Sequence, residues 1–163
     1  MRWSELAALR IVDVDVARRR VHVVERAAEV GGRIDVAAPE SSASNRYIGI
    51  PELLLPSLTS RMSGRDTNSL VFTAPGGGYL RNRNWRTRSG FDEAVAELGL
   101  GITPHDLRQT FGSLARAAGA DMRWIQKAMG HESITTTARI YAHLYDDELD
   151  SVAAALDRIG RGS

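Results

Sequence analysis

The stretch "TPHDLRQTFGSLARAAGADMRWIQKAMGHESITTTARIYAHL", residues 103–144, decides how the chain is read. Thr103 and Pro104 are residue types that cap and enter a helix, and Asp106 falls in its first turn, where a carboxylate suits the helix dipole. His105 and Arg108, three residues apart, then share one helix face. They also sit where free backbone N–H groups already favour an anion, so this helix start suits a phosphodiester. "AGADM" interrupts the helix, "MRWIQKAMG" forms another that ends at Gly130, and His131 follows directly. "SITTTARIYAHL" is a further short helix and carries Tyr141. Taken singly, each residue has a plainer reading: a surface His–Arg pair beside a cap, a histidine closing a helix end, a half-buried aromatic.

Working outward, "WSELAALR" at 3–10 has helical apolar spacing, with Ser4 capping or entering the helix. "IVDVDVARRRVHVVERAAEV" alternates apolar and polar residues and reads as strand. "GG" at 31–32 turns the chain, "RIDVAAP" pairs back, and "NRYIGI" at 45–50 is a third strand, giving a small antiparallel meander between residues 12 and 50. Pro51 opens a helix to about Met62, and "SLVFTAPGGGYL" is a short strand with a Gly-rich turn. "NRNWRTRSGFDEAVAELGL" is a long amphipathic helix stopped by Gly99 and Gly101, and "DDELDSVAAALDRI", 146–159, is a C-terminal one. The expected class is α+β, mainly α, with a small three-stranded antiparallel sheet near the N-terminus.

The chain of 163 residues is 43% apolar and 25% charged, which suits a single globular domain. No run of eighteen apolar residues suggests a membrane span, and "MRWSELAALR" lacks the regions of a signal peptide. The absence of cysteine fits a reducing cytoplasm, the expected location. The net charge of +1 says nothing about partners. The kind of base says more: of 21 basic residues Lys127 is the one lysine, leaving twenty arginines. Arginine forks grip phosphate bidentately, although GC-rich coding produces the same bias. Arg81, Arg83, Arg86 and Arg88 surround Trp85 with no acid between them, a basic helix start suited either to DNA phosphates or to solvent.

The joint pattern resembles the catalytic core of the tyrosine recombinases, the phage integrase family. That family carries a His-x-x-Arg, a Gly-His about two dozen residues later and a nucleophilic tyrosine nine or ten beyond, matched here by His105, Arg108, His131 and Tyr141. "MRWSELAALRIVDVD" resembles the family's first block, making Arg2 the first catalytic arginine and Glu5 the acidic residue that helps hold the site. The resemblance implies an integrase-type helical catalytic domain and transesterification of double-stranded DNA without metal or cofactor. Tyr141, whose hydroxyl ordinarily titrates near about 10, would attack phosphorus. Arg2 and Arg108 would clamp the non-bridging oxygens, His105 would assist proton transfer and His131 would hydrogen-bond the phosphate. A 3′-phosphotyrosyl link and a free 5′-hydroxyl result. Segment 146–159 looks like the piece that family members dock on a neighbouring protomer, giving a homo-oligomer; its Leu149, Val152, Ala153 and Leu156 suit packing on its own domain equally.

Three departures stand out. Glu40 occupies the position where the family's hairpin loop has the lysine that protonates the leaving 5′-oxygen, and Lys127 lies on a later helix; Arg33 or Arg46 could approach that oxygen but is a poor proton donor. Gln109 stands where a second histidine is common. Family members carry an N-terminal DNA-binding domain, and the chain reads as a single truncated catalytic domain, 1–163, without it. The expected activity is impaired recombination. Two alternatives stand beside it: a catalytically inactive DNA-binding or regulatory remnant of a prophage integrase, and an unrelated hydrolase using His105, His131 and Asp106 on a metal, for which no His-x-x-x-His spacing exists.

Overall fold

Helix α1, Trp3–Ala8, begins where the Arg2 backbone N–H donates to Glu5 Oε2 at 2.7 Å, satisfying one of the orphan donors of a helix start. The computed structural model describes residues 1–39 and 41–135, the Ser42 side chain excepted. The inward face of α1 is made of Glu5, Ala7 and Ala8, and the two alanines bury against Ala27, with Ile34, Tyr79 and Leu80 packed around them. Side chains this small let α1 sit close on the strand beneath it.

The long alternating run does not form one strand. It divides into β1 (Val14–Asp15), β2 (Arg20–Val23) and β3 (Arg26–Val30), because the chain turns at 16–19, where Arg19 takes a left-handed φ of 52°. β5 (Arg46–Gly49) returns to pair antiparallel with β2, not with β4, so the three-stranded sheet has the order β1-β2-β5. β3 and β4 (Arg33–Ala37) form a separate hairpin. Its turn is Gly31–Gly32, with φ of 55° and 76°, the left-handed pair a two-residue hairpin needs. The expected three-stranded antiparallel sheet is present, but its strands connect differently from a simple meander.

Val21 and Val23 of β2 bury with Leu9, Ile50 and Val71. Each such side chain contributes about 1.5–3 kcal/mol through the apolar area it removes from water. Residues 69–80 contribute less regular structure than expected. Val71 N donates to Leu9 O at 2.7 Å and Arg10 bridges Leu70, but no strand forms there. The Gly-rich turn is closed by Ala74 N donating to Gly78 O at 2.9 Å.

A short 3-10 turn, Glu52–Leu54, leads into α2, Leu55–Met62. The long helix expected over 82–100 is two: α3, Asn82–Arg88, and α4, Phe91–Glu97. Gly90 breaks it with a φ of 71°, and the bend lets Trp85 meet both Trp3, at 5.1 Å between ring centroids, and Phe91, at 5.4 Å. α5, Pro104–Ala117, starts as expected, with Thr103 N donating to Asp106 Oδ2 at 2.8 Å. α6, Met122–Met129, is capped by Asp121, which accepts from Trp124 N at 2.7 Å. Ile125 and Met129 of α6 are fully buried against Phe111 and Ala115 of α5, which fixes the α6 C-terminus beside the start of the chain. Among the described residues no helix is long and apolar enough to cross a membrane.

Candidate active site

α6 ends at Gly130 in the left-handed conformation, φ 64°, and His131 N donates back to Gln126 O at 3.1 Å, closing the helix end as glycine-terminated helices do. The last carbonyls of a helix lack intrahelical partners and carry the negative end of the dipole. Three arginines from three distant segments fill that need. Arg46 Nε donates to Ala128 O at 2.8 Å, Arg108 Nη2 to Met129 O, and Arg2 Nη2 to Gly130 O at 2.9 Å. The helix end thereby acts as a template on which Arg2 of the α1 turn, Arg46 of β5 and Arg108 of α5 are gathered.

Glu5 anchors two of them. Its carboxylate accepts from Arg46 Nη1 and Nη2, each at 3.0 Å, and from Arg2 Nη1 at 3.1 Å. Burial pushes the Glu5 carboxyl up, but hydrogen bonds and charge from Arg46, followed by the bonds from Arg2, outweigh it and hold the group below its usual range. Arg2 also donates to Ser44 Oγ at 3.0 Å. The side chains differ in access: Arg2 is 39% exposed, whereas Arg46 is 2% exposed. Arg2 can meet a substrate; Arg46 is committed to protein groups.

His131 faces this cluster. Its imidazole is lowered to about 4, first by desolvation, then by the charges of Arg108, Arg2 and Arg46, and last by His105. Three of the sequence-derived positions, Arg2, Arg108 and His131, lie at the end of α6, and the charge of His105 reaches the His131 imidazole. His105 lies exposed at the α5 start, Arg108 one turn on is buried, and neutral imidazole is the stable form of His131 beside so much positive charge. Asp106 accepts from Thr103 Oγ1 and Thr103 N, which hold its carboxyl below the usual range. Among the described residues no group of three or more His, Asp or Glu side chains is placed to hold a metal ion.

Arg46 is the residue that sequence reasoning underrated. Expected at most to approach the leaving oxygen, it is turned inward and bound to Glu5, Ser44 O and Ala128 O. The signal was available. In "NRYIGI" the inward positions are 46, 48 and 50, so an arginine falls in the apolar register, and a buried cation needs a carboxylate.

The basic helix start divides in two. Arg81 pairs with Glu29 and donates to Gly32 O at 2.8 Å, tying α3 to the β3–β4 hairpin. Arg86 Nε meets Asp92 Oδ1 at 2.6 Å, and Trp85 packs between Trp3 and Phe91. Arg83 and Arg88 stay exposed, with no side-chain ion pair or hydrogen bond to the described residues. Glu40, Tyr141 and segment 146–159 lie outside the described residues.

The chain is a mainly helical domain that carries a small antiparallel sheet and collects arginines at one helix end. Residues 1–148 match the model of the phage integrase family, and the chain belongs to that family. It is 37% identical over 153 residues to tyrosine recombinase XerC of Roseiflexus castenholzii, covering 88% of this chain and 43% of that protein. It is 31% identical over 143 residues to tyrosine recombinase XerD of Mycobacterium tuberculosis, covering 83% and 42%. The chain thus spans less than half the length of these relatives. In fold it is similar to the Tn1549 transposon integrase solved in complex with circular intermediate DNA, with a TM-score of 0.77 at 23% identity over 98% of this chain and 56% of that one. XerA recombinase gives 0.69 at 26% identity, over 94% and 51%.

Proposed function

We propose that this chain is the catalytic part of a site-specific DNA recombinase that cuts and rejoins double-stranded DNA through Tyr141. The observation that carries the reading is the gathering of Arg2, Arg108 and His131 at the α6 C-terminus, with His105 near enough to weigh on the His131 imidazole. Arg2 and Arg108 bind the non-bridging oxygens of one phosphate, placing positive charge where the pentavalent transition state gathers negative charge. Neutral His131 donates a hydrogen bond to that phosphate. His105 takes the proton as the Tyr141 oxygen bonds to phosphorus, the bond from phosphorus to the 5′-oxygen breaks, and that oxygen takes a proton from water to leave as the 5′-hydroxyl. The ester energy is held in the 3′-phosphotyrosyl link until a 5′-hydroxyl reverses the step, so the residues need no metal or nucleotide cofactor.

Glu40 at the position of the family's lysine makes this chain a slow catalyst within the proposal. General-acid catalysis contributes about 10²–10⁴-fold, and a carboxylate near the leaving oxygen repels the phosphate instead. Assembly of copies through segment 146–159, work in the cytoplasm and origin in a prophage belong to the same proposal. Glu40 also favours a second reading, in which the chain binds DNA without cutting it.

One experiment separates the two. Incubated with a duplex nicked next to the cleavage site, the chain yields a covalent protein–DNA adduct that Tyr141→Phe abolishes and Glu40→Lys increases. Binding without adduct in both the unsubstituted chain and Glu40→Lys selects the second reading.

A further inference from the structure

Arg46 has no role in the chemistry proposed above, yet its side chain is closely held by protein groups beside the site. Four of its five N–H donors are used: Nε on Ala128 O, Nη1 on Glu5 Oε1 and Ser44 O, and Nη2 on Glu5 Oε2. These bonds span 41 residues back to α1 and 82 residues forward to α6. The guanidinium also occupies the space where a side chain of Gly130 would stand. A Cβ there would lie 2.7 Å from Nη1, 2.8 Å from Cζ and 3.1 Å from Nε. The left-handed glycine and the arginine plane thus form one packed unit at the helix end.

We infer that Arg46 is a positioning residue: it locks Glu5 and the end of α6 in one register, and that register aims the Arg2 and Arg108 guanidiniums at a shared phosphate. The inference rests on the strand-cleavage reading for what is aimed at, although the positioning itself can be read without activity. Arg2 meets Glu5 through the same carboxylate, and Arg2, Arg46 and Arg108 each hold one of three consecutive carbonyls. A shift of α6 against α1 would therefore move both phosphate-binding arginines relative to each other. Misplacement of about 1 Å costs on the order of 10²-fold in rate. Lysine cannot replace Arg46, because a single ammonium cannot hold both Glu5 oxygens together with Ala128 O and Ser44 O.

The test uses the full chain with Arg46→Lys and the double variant Arg46→Met with Glu5→Leu. The double variant replaces a buried ion pair by apolar side chains, an exchange that preserves or raises stability in other proteins. Two readouts are taken: the rate of adduct formation at saturating nicked DNA, set against DNA affinity, and the guanidinium N–H signals of Arg2 and Arg108 by NMR. The expected result is cooperative melting in both variants, an adduct rate reduced by about 10²-fold with affinity nearly kept, and loss of the slowly exchanging guanidinium signals. A folded Arg46→Lys chain with unchanged signals overturns the inference, as does an unchanged rate. If the unsubstituted chain forms no adduct, the strand-cleavage reading fails, and the guanidinium signals alone decide the positioning of Arg2 and Arg108. Should Arg46→Lys fail to fold, the double variant decides through Arg108: restored melting with an unchanged Arg108 guanidinium signal overturns the inference, and restored melting with that signal lost upholds it.

Discussion

Arg2 Nη2 lies 2.9 Å from Gly130 O, so residues 128 positions apart share one hydrogen bond at the end of α6. The contact depends on how the chain leaves that helix. Gly130 holds a φ of 64°, and any Cβ there would run into the Arg46 guanidinium, which is buried and already held by four hydrogen bonds. Gly130→Ala is expected to cost at least about 1 kcal/mol from backbone strain alone, lowering Tm by about 2–4 °C for each kcal/mol in a chain of this size. Displacing Arg46 adds to that. Thermal unfolding of Gly130→Ala measures the sum, and a variant melting with the unsubstituted chain would show that the helix end is slack.

Glu5 is the counter-charge for a cation with nowhere else to go. Glu5→Ala leaves Arg46 buried without a carboxylate, and breaking such a pair from one side costs about 3–5 kcal/mol. Urea titration should show a lower midpoint with little change of slope. The pH dependence has a definite sign. Because the folded carboxyl titrates below its usual range, the Glu5 contribution is complete above the unfolded value and is lost as pH falls through the folded one. Acid unfolding should therefore begin at higher pH in any variant that weakens Arg46.

His131 behaves in the opposite sense. Its imidazole titrates at about 4 when folded against about 6.5 for an ordinary histidine, so the unfolded chain binds the extra proton between these limits. Stability should rise as pH climbs from about 4 to 6.5 and level off above, a slope that His131→Gln removes. NMR titration of the ring reads the value directly. A phosphate bound by Arg2 and Arg108 would offset their charge, so addition of nicked DNA should move the His131 titration upward.

These predictions draw on residues whose legibility in the sequence differed for physical reasons. α5 and α6 were readable because their limits are local: Thr103–Asp106 at one start, Asp121 at the other, and Gly130 at the end. His105, Arg108 and His131 came with them. The sheet was misconnected because alternation continues through the turn at 16–19, and because pairing of His22 with Tyr47 is a contact between distant segments that periodicity does not encode. Gly90 falls inside an amphipathic pattern, and one glycine is tolerated in many helices; the Trp3–Trp85–Phe91 packing decides that it breaks this one. Arg46 is legible as an inward position in the strand register, but its partner is not, being 41 residues away.

The basic helix start offers a prediction that distinguishes arginines by what already holds them. Arg81 and Arg86 are occupied by Glu29, Gly32 O and Asp92, so their removal acts on packing between α3, the β3–β4 hairpin and α4. Arg83 and Arg88 are exposed on α3 and free to meet phosphate. If α3 lies on DNA, Arg83→Ala and Arg88→Ala should each lower the slope of log affinity against log salt by about 0.9, at little cost in Tm. Arg81→Ala should lower Tm and leave that slope nearly intact, because its charge is neutralised by Glu29. Equal slopes in all the variants would place the DNA on another face of the domain. A reduced slope for Arg88→Ala alone would turn α3 so that only its C-terminal end approaches the backbone.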